Sequence, residues 1–165
     1  MADKDPNSLK FPPKFLNPQN DIIFKIFFAA VKNKPLLISF LENTLELAEP
    51  IEDVEFLNPT LPKENLTDKG IVLDIAVKLK NQAQIDVEMQ IASDSGFLKR
   101  ILYYWARLHH SQLLRGHNYP KLVPTISIAV LGNNIFKSSP EQLHSIFELK
   151  ERTRGDLYLP DMQLH

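Results

Sequence analysis

The sharpest hydrophobic pattern in the chain lies between Ile71 and Ile91. In IVLDIAVKL (71–79) the odd positions Ile71, Leu73, Ile75, Val77 and Leu79 are all apolar, and Asp74 and Lys78 stand among the even ones. In QIDVEMQI (84–91) the apolar Ile85, Val87, Met89 and Ile91 alternate with Gln84, Asp86, Glu88 and Gln90. Period-two alternation marks strands whose two faces meet different surroundings, and two such runs joined by a few polar residues predict a β-hairpin. A loop of residues 80–82 pairs Asp74 with Glu88, and one of 81–83 pairs Asp74 with Gln90. Either register gathers the apolar side chains on one face and the acids on the other, whereas a one-residue slip drops Asp74 among its partner's apolar residues. Opposed side chains then have Cβ atoms about 4.5–5.5 Å apart. Two carboxylates at that separation repel unless positive charge lies between them, although a solvated sheet face would show the same pattern.

Helical signals flank the hairpin. In NPQNDIIFKIFFAAVKN, Asn20 is a candidate cap, Asp21 sits where the helix dipole favours an acid, and Lys25 follows four residues on. The stripe Ile22, Ile23, Ile26 and Phe27 predicts a largely buried helix. Pro35 opens a second helix with Leu37, Phe40, Leu41 and Leu45 at core spacing. After the hairpin a helix is predicted from about Phe97 to Arg115. It carries Leu98, Ile101, Trp105, Leu108 and Gln112 on one side, Arg100, Tyr103, Arg107 and His110 on another, and Gly116 as its stop. VPTISIAVLG reads as a strand buried on both faces. SSPEQLHSIF is open between a capped helix start and an edge strand, and LYLPDMQLH ends in strand-like alternation, as either a fragment of a longer chain or a frayed natural terminus would.

The order helix, helix, strand, strand, helix, strand predicts an α/β fold, a mixed β-sheet flanked by helices. At 165 residues the chain fits one domain. Residues 17–165 are assigned to it, truncation at the C-terminus being compatible with that reading, and the polar, Pro-bearing residues 1–16 to a disordered or loosely attached lead.

Composition narrows the chemistry. With no cysteine, disulfides, thiol catalysis and Cys-ligated zinc are excluded, so any metal must sit on oxygen or imidazole. No apolar run spans a bilayer and no signal-peptide core is visible, which predicts a cytoplasmic protein without membrane contact. The net charge of −1 conceals an asymmetry. Acids crowd the stretch from Glu42 to Glu64. Between Ser95 and Pro140 there is no Asp or Glu, while Lys99, Arg100, Arg107, Arg115, Lys121 and Lys137 are present with three histidines. Such a segment suits a polyanion. His109, His110 and His117 read as surface or basic-patch residues.

Asp74, Glu88 and Gln90 on one sheet face are hard oxygen donors, suited to Mg²⁺ or Mn²⁺. An Asp on one strand followed by Glu-x-Gln on the next resembles the signature of the PD-(D/E)XK nucleases. The ordered set NDIIFKIFF, LDIAV, VEMQ and RILYYWARLHHSQLLRGHNYPKLVPTISIAVLG is similar to the PD-(D/E)XK family transposases, also called recombination-promoting nucleases. The resemblance runs from about Asn17 to Gly132. It implies a restriction-endonuclease-like core and metal-dependent cutting of DNA, with links to recombination or mobile elements. It also implies catalytic roles for Asp74, Glu88, Gln90 and Asp21, with Asp74 and Glu88 as metal ligands. Lys25, Arg100, Tyr103 and Arg107 are the expected nucleic-acid contacts, Arg100 being equally readable as a structural partner of the acids.

Gln90 departs from the wider superfamily, which has Lys there. An amide orients by hydrogen bonds and cannot act as a base. The electrostatic task then passes to the metal and to a cation such as Arg100 or Lys25. The functional expectation is a Mg²⁺-dependent (or Mn²⁺-dependent) deoxyribonuclease acting on DNA as a homodimer. The alternative is an inactive relative that binds nucleic acid or protein.

Overall fold

A computed structural model describes residues 20–61, 63, 67, 69–80, 83–91, 95–113, 116, 118–136, 138–155 and 158–165. The lead expected over residues 1–16 lies outside the described residues, as do Glu64, Arg115, His117 and Lys137. Among the described residues no helix is long and apolar enough to cross a membrane.

The central hairpin takes the register of the 80–82 loop. Ile75 faces Val87, Ala76 faces Asp86 and Val77 faces Ile85 across strands β4 (Ile75–Leu79) and β5 (Gln84–Gln90). Four more strands complete the sheet: β1 (Val54–Phe56), β6 (Thr125–Leu131), β7 (Phe147–Lys150) and β8 (Tyr158–Leu164). The spatial order is β1-β4-β5-β6-β8-β7. The β1/β4, β4/β5 and β7/β8 pairs are antiparallel, and β5/β6 and β6/β8 are parallel. Flanked by helices, this is the mixed sheet of a restriction-endonuclease-like core. Of the segment left open in the sequence, residues 138–146 form turns and coil and Phe147 alone enters an edge strand, β7; the final alternation becomes β8.

The long alternating run is broken. Ile71–Val72 forms β3 and pairs with β2 (Thr60–Leu61) in a separate two-stranded sheet. The backbone bends at Leu73 and Asp74, and the N–H of Leu73 donates to Pro59 O at 2.9 Å. The bend divides the odd positions between two cores. Ile75, Val77, Leu79, Ile85 and Val87 join Phe24, Leu37, Leu41 and Leu45 on one side, and Ile71 and Leu73 join Leu61, Ala76 and Leu108 on the other. Alternation carries no information about a bend, so the single apolar face expected for residues 71–79 is corrected.

Helix α1 (Asp21–Phe28) starts as its sequence predicts, with Asn20 Oδ1 accepting from the N–H groups of Ile22 and Ile23 at 3.0 and 3.3 Å. Its burial differs from expectation. Only Phe24 is buried, while Ile22 and Ile26 are 67% and 54% exposed. Phe24 and Phe28 stack towards Phe40, so eight residues present one narrow stripe to the core rather than the broad one the sequence suggested. Helix α2 (Lys34–Thr44) buries Leu37 and Leu41 completely. Truncating either residue to Ala is expected to cost about 2–5 kcal/mol.

Helix α3 (Phe97–His110) is shorter than predicted. Gln112 leaves the helical path to bond both backbone groups of Val123, at 2.9 and 3.1 Å, and Thr125 Oγ1 at 2.7 Å. Gly116, expected as the stop, instead sits beyond the helix with φ +88°, a conformation that favours glycine. Phe97 rather than Leu98 faces inward, Leu98 being 58% exposed.

Candidate active site

Asp74 and Glu88 meet where the β4–β5 hairpin register runs into the bend. The N–H of Asp74 donates to Glu88 Oε1 at 3.0 Å, and the N–H of Met89 donates to Asp74 Oδ2 at 3.0 Å. Each acid is therefore held by the other's strand, and the bend at Asp74 supplies one of the two donors. Burial pushes the Glu88 carboxyl up to about 8, and the neighbouring charges of Asp74 and Asp86 push the same way.

Positive charge reaches this pair from α1. Lys25 Nζ lies 2.8 Å from Asp74 Oδ1 and 3.2 Å from Asp21 Oδ1. The hydrogen bond to Asp74 holds the ammonium above the usual lysine range, so it stays charged at neutral pH. The spacing of Asp21 and Lys25, four residues on a helix, lets both side chains reach one side. Helix α1 thus delivers a cation to the sheet acids and a third carboxylate behind it.

On the other flank Arg100 Nη2 donates to Gln90 Oε1 at 2.5 Å, and the Arg100 guanidinium lies 5.6 Å from the Phe97 ring centre. A small crevice between β5 and α3 is lined by Glu88, Gln90, Arg100 and Tyr104. At the end of β5 the N–H of Gly132 donates to Gln90 O at 2.9 Å. A Cβ on Gly132 would come within 2.6 Å of Ile91 O, so the approach of β6 to the end of β5 requires glycine.

The structure thus brings together Asp21, Lys25, Asp74, Glu88, Gln90 and Arg100. Tyr103 is 42% exposed and does not line the crevice. Its neighbour Tyr104 does, one helical turn from Arg100, with its hydroxyl raised by burial first and then by Glu88. Arg107 is half-buried two turns further along α3. Tyr104 was missed because two adjacent tyrosines give no sequence signal of which one faces the sheet.

Two further polar residues sit differently from their sequence reading, which put Asp86 on the polar face of the hairpin and His109 at the surface. Asp86 is completely buried on β5 and accepts from the hydroxyl of Ser127, its register partner on β6. Among the described residues its Oδ2 has no hydrogen-bond partner, and burial pushes the carboxyl up to about 7. The signal was a lone serine inside the Ile-rich β6 run. His109 is no surface residue either. Its ring stacks on Trp105 at 5.0 Å, and its Nδ1 lies 2.9 Å from Thr125 Oγ1.

Asp74 and Glu88 suit a hard divalent cation, because Mg²⁺ takes one or two carboxylates and keeps several waters. Among the described residues no group of three or more His, Asp or Glu side chains is arranged to hold a metal. A cavity of about 730 Å³ lies elsewhere, between α2, α3 and the β6 end of the sheet, and its lining is mostly apolar.

A model of the PD-(D/E)XK nuclease family transposases matches residues 18–165. The chain belongs to this family. Comparison with curated proteins and with solved structures gave no match. Membership gives the acid cluster its context: PD-(D/E)XK nucleases generally use divalent metals, and nuclease families act on nucleic acid. In this PD-(D/E)XK chain the lysine that reaches the acids comes from α1.

Proposed function

We propose that the chain is a metal-dependent deoxyribonuclease that hydrolyses phosphodiester bonds at the Asp74–Glu88 pair. The observation that carries this reading is the cross-strand opposition of two carboxylates with an ammonium 2.8 Å from one of them, on a chain of a nuclease family. Asp74 and Glu88 would hold Mg²⁺ or Mn²⁺. The ion supplies charge neutralisation at the scissile phosphate and an acidified water.

The remaining work falls to the chain. Lys25, kept protonated by its carboxylates, is a poor base and a good electrostatic partner for charge developing on phosphate. Gln90 gives its oxygen to Arg100 and can donate through Nε2, which suits orienting a water or a phosphate oxygen. Arg100 adds a fixed positive charge beside the crevice, favouring backbone contacts that are independent of base sequence. Asp21 keeps Lys25 aligned from behind.

The test is conversion of supercoiled plasmid to open circles. Nicking in Mg²⁺ or Mn²⁺ that stops on adding EDTA supports the reading. DNA binding without strand breakage in either ion would overturn it in favour of a binding module.

A further inference from the structure

We propose that β7 is a self-association edge: β7 of one chain pairs antiparallel with β7 of a second copy, centred on Leu149, and continues the sheet across a two-fold axis.

β7 ends the sheet, and among the described residues β8 is the one strand hydrogen-bonded to it. All four of its residues are exposed, including Phe147 at 47% and Leu149 at 48%. An open edge bearing apolar side chains is a template for another strand.

The sequence FELK selects what that strand is. Glu148 and Lys150 share one face with Tyr158, whose hydroxyl donates to Glu148 Oε1 at 2.7 Å. Lys150 Nζ lies 3.0 Å from Glu148 Oε2. Both side chains are thus arranged before any partner arrives. In the register centred on Leu149, Glu148 opposes Lys150 of the second copy and Lys150 opposes its Glu148. Leu149 meets Leu149 on the other face. Directly opposed residues share a face and interact, opposite charges favourably and like charges unfavourably. Centring on Glu148 or Lys150 instead sets like charges against each other, and a register between Glu148 and Leu149 sets charge against an apolar group. The irregularity of this strand pair does not interrupt β7. Glu148 faces Gln163 and Leu149 faces Leu159, so the extra residues 160–162 belong to β8.

Isologous pairing of this kind closes on itself as a dimer. Strands β6 and β8 separate β5 from β7, so the contact leaves the Asp74–Glu88 site open. The proposal is independent of what that site does.

The test is sedimentation velocity of the 165-residue chain over a concentration series, with folding checked by circular dichroism. The wild type is expected to show a monomer–dimer equilibrium. Glu148→Lys and Lys150→Glu alone each turn both cross-strand pairs repulsive, and are expected to weaken dimerisation about tenfold. The double reversal Glu148→Lys/Lys150→Glu restores opposite charges and is expected to restore the dimer. A wild type that stays monomeric throughout, a dimer indifferent to the single reversals, or a folded double variant that fails to dimerise would each overturn the proposal.

Discussion

Lys25 on α1 and Asp74 at the bend before β4 are joined at 2.8 Å, so the first helix of the fold supplies the cation that meets the hairpin's acids. An ammonium in that position has two effects that separate experimentally. It competes with any divalent ion for Asp74, and it offers charge to the phosphate.

Replacing Lys25 with Met removes both effects at once. The account predicts a larger Mg²⁺-induced rise in melting temperature than in the wild type, because Asp74 is left with a greater demand for a cation. Strand breakage is predicted to fall about 10²–10³-fold, the scale seen when one preorganised transition-state donor is removed. Parallel loss of metal stabilisation and cleavage would mark Lys25 as merely structural. Thermal melts with and without Mg²⁺, set beside nicking rates, decide between them.

Arg100 is the cation nearest the crevice that comes from the acid-free segment. Arg100→Gln is predicted to weaken DNA binding for all sequences alike and to lower the slope of log affinity against log salt by about one phosphate's worth, roughly 0.9. The same substitution unpins Gln90 from its 2.5 Å contact, so cleavage is expected to fall further than binding. A salt series by fluorescence anisotropy gives the slope directly.

Asp86 and Ser127 form a buried pair between the central parallel strands. Ser127→Ala strips the donor from a carboxyl that already has one unpartnered oxygen, and is predicted to destabilise the fold by about 1–3 kcal/mol. Asp86→Asn keeps an acceptor for the Ser127 hydroxyl while removing the cost of burying charge, and is expected to lie within about 1 kcal/mol of the wild type or above it. Urea denaturation of the two variants separates a hydrogen-bonded pair from simple packing.

His109 gives a pH dependence with a definite sign. Burial lowers its pKa below the usual 6.5, so the folded state resists protonation that the unfolded state accepts. Its contribution is therefore intact above about pH 7 and lost as pH falls through 6.5 towards the depressed folded value. The wild type is predicted to lose more thermal stability between pH 7.5 and 5.5 than His109→Asn. Equal losses would place His109 in solvent.

Much of this was legible in the chain. The alternation around Asp74 and Glu88 excluded a one-residue slip, which would have buried Asp74 among apolar residues, and left the choice between the 80–82 and 81–83 loops to the structure. Asn20 and Asp21 marked the start of α1. The Ile-rich run announced a strand buried on both faces. What stayed hidden depended on contacts distant in sequence. Ile71 and Leu73 fell into the second core because Leu73 bonds Pro59 and the chain bends. Ile22 and Ile26 are exposed because α1 offers only Phe24 fully to the core, a choice set by where α2 packs. α3 stopped at His110 because Gln112 found backbone partners on the approach to β6. Tyr104 rather than Tyr103 lines the crevice, and His109 is held by Trp105 and Thr125, for the same reason: the side a helix turns to a sheet is decided by the sheet.

The most direct test of the central claim is the nicking rate of supercoiled plasmid in Mg²⁺ by the wild type, Asp74→Asn and Glu88→Gln, all shown to be folded. Both substitutions preserve shape and remove the charge a metal requires. The account predicts nicking by the wild type and a loss of at least about 10²-fold in each variant. Equal nicking by all three proteins would contradict it.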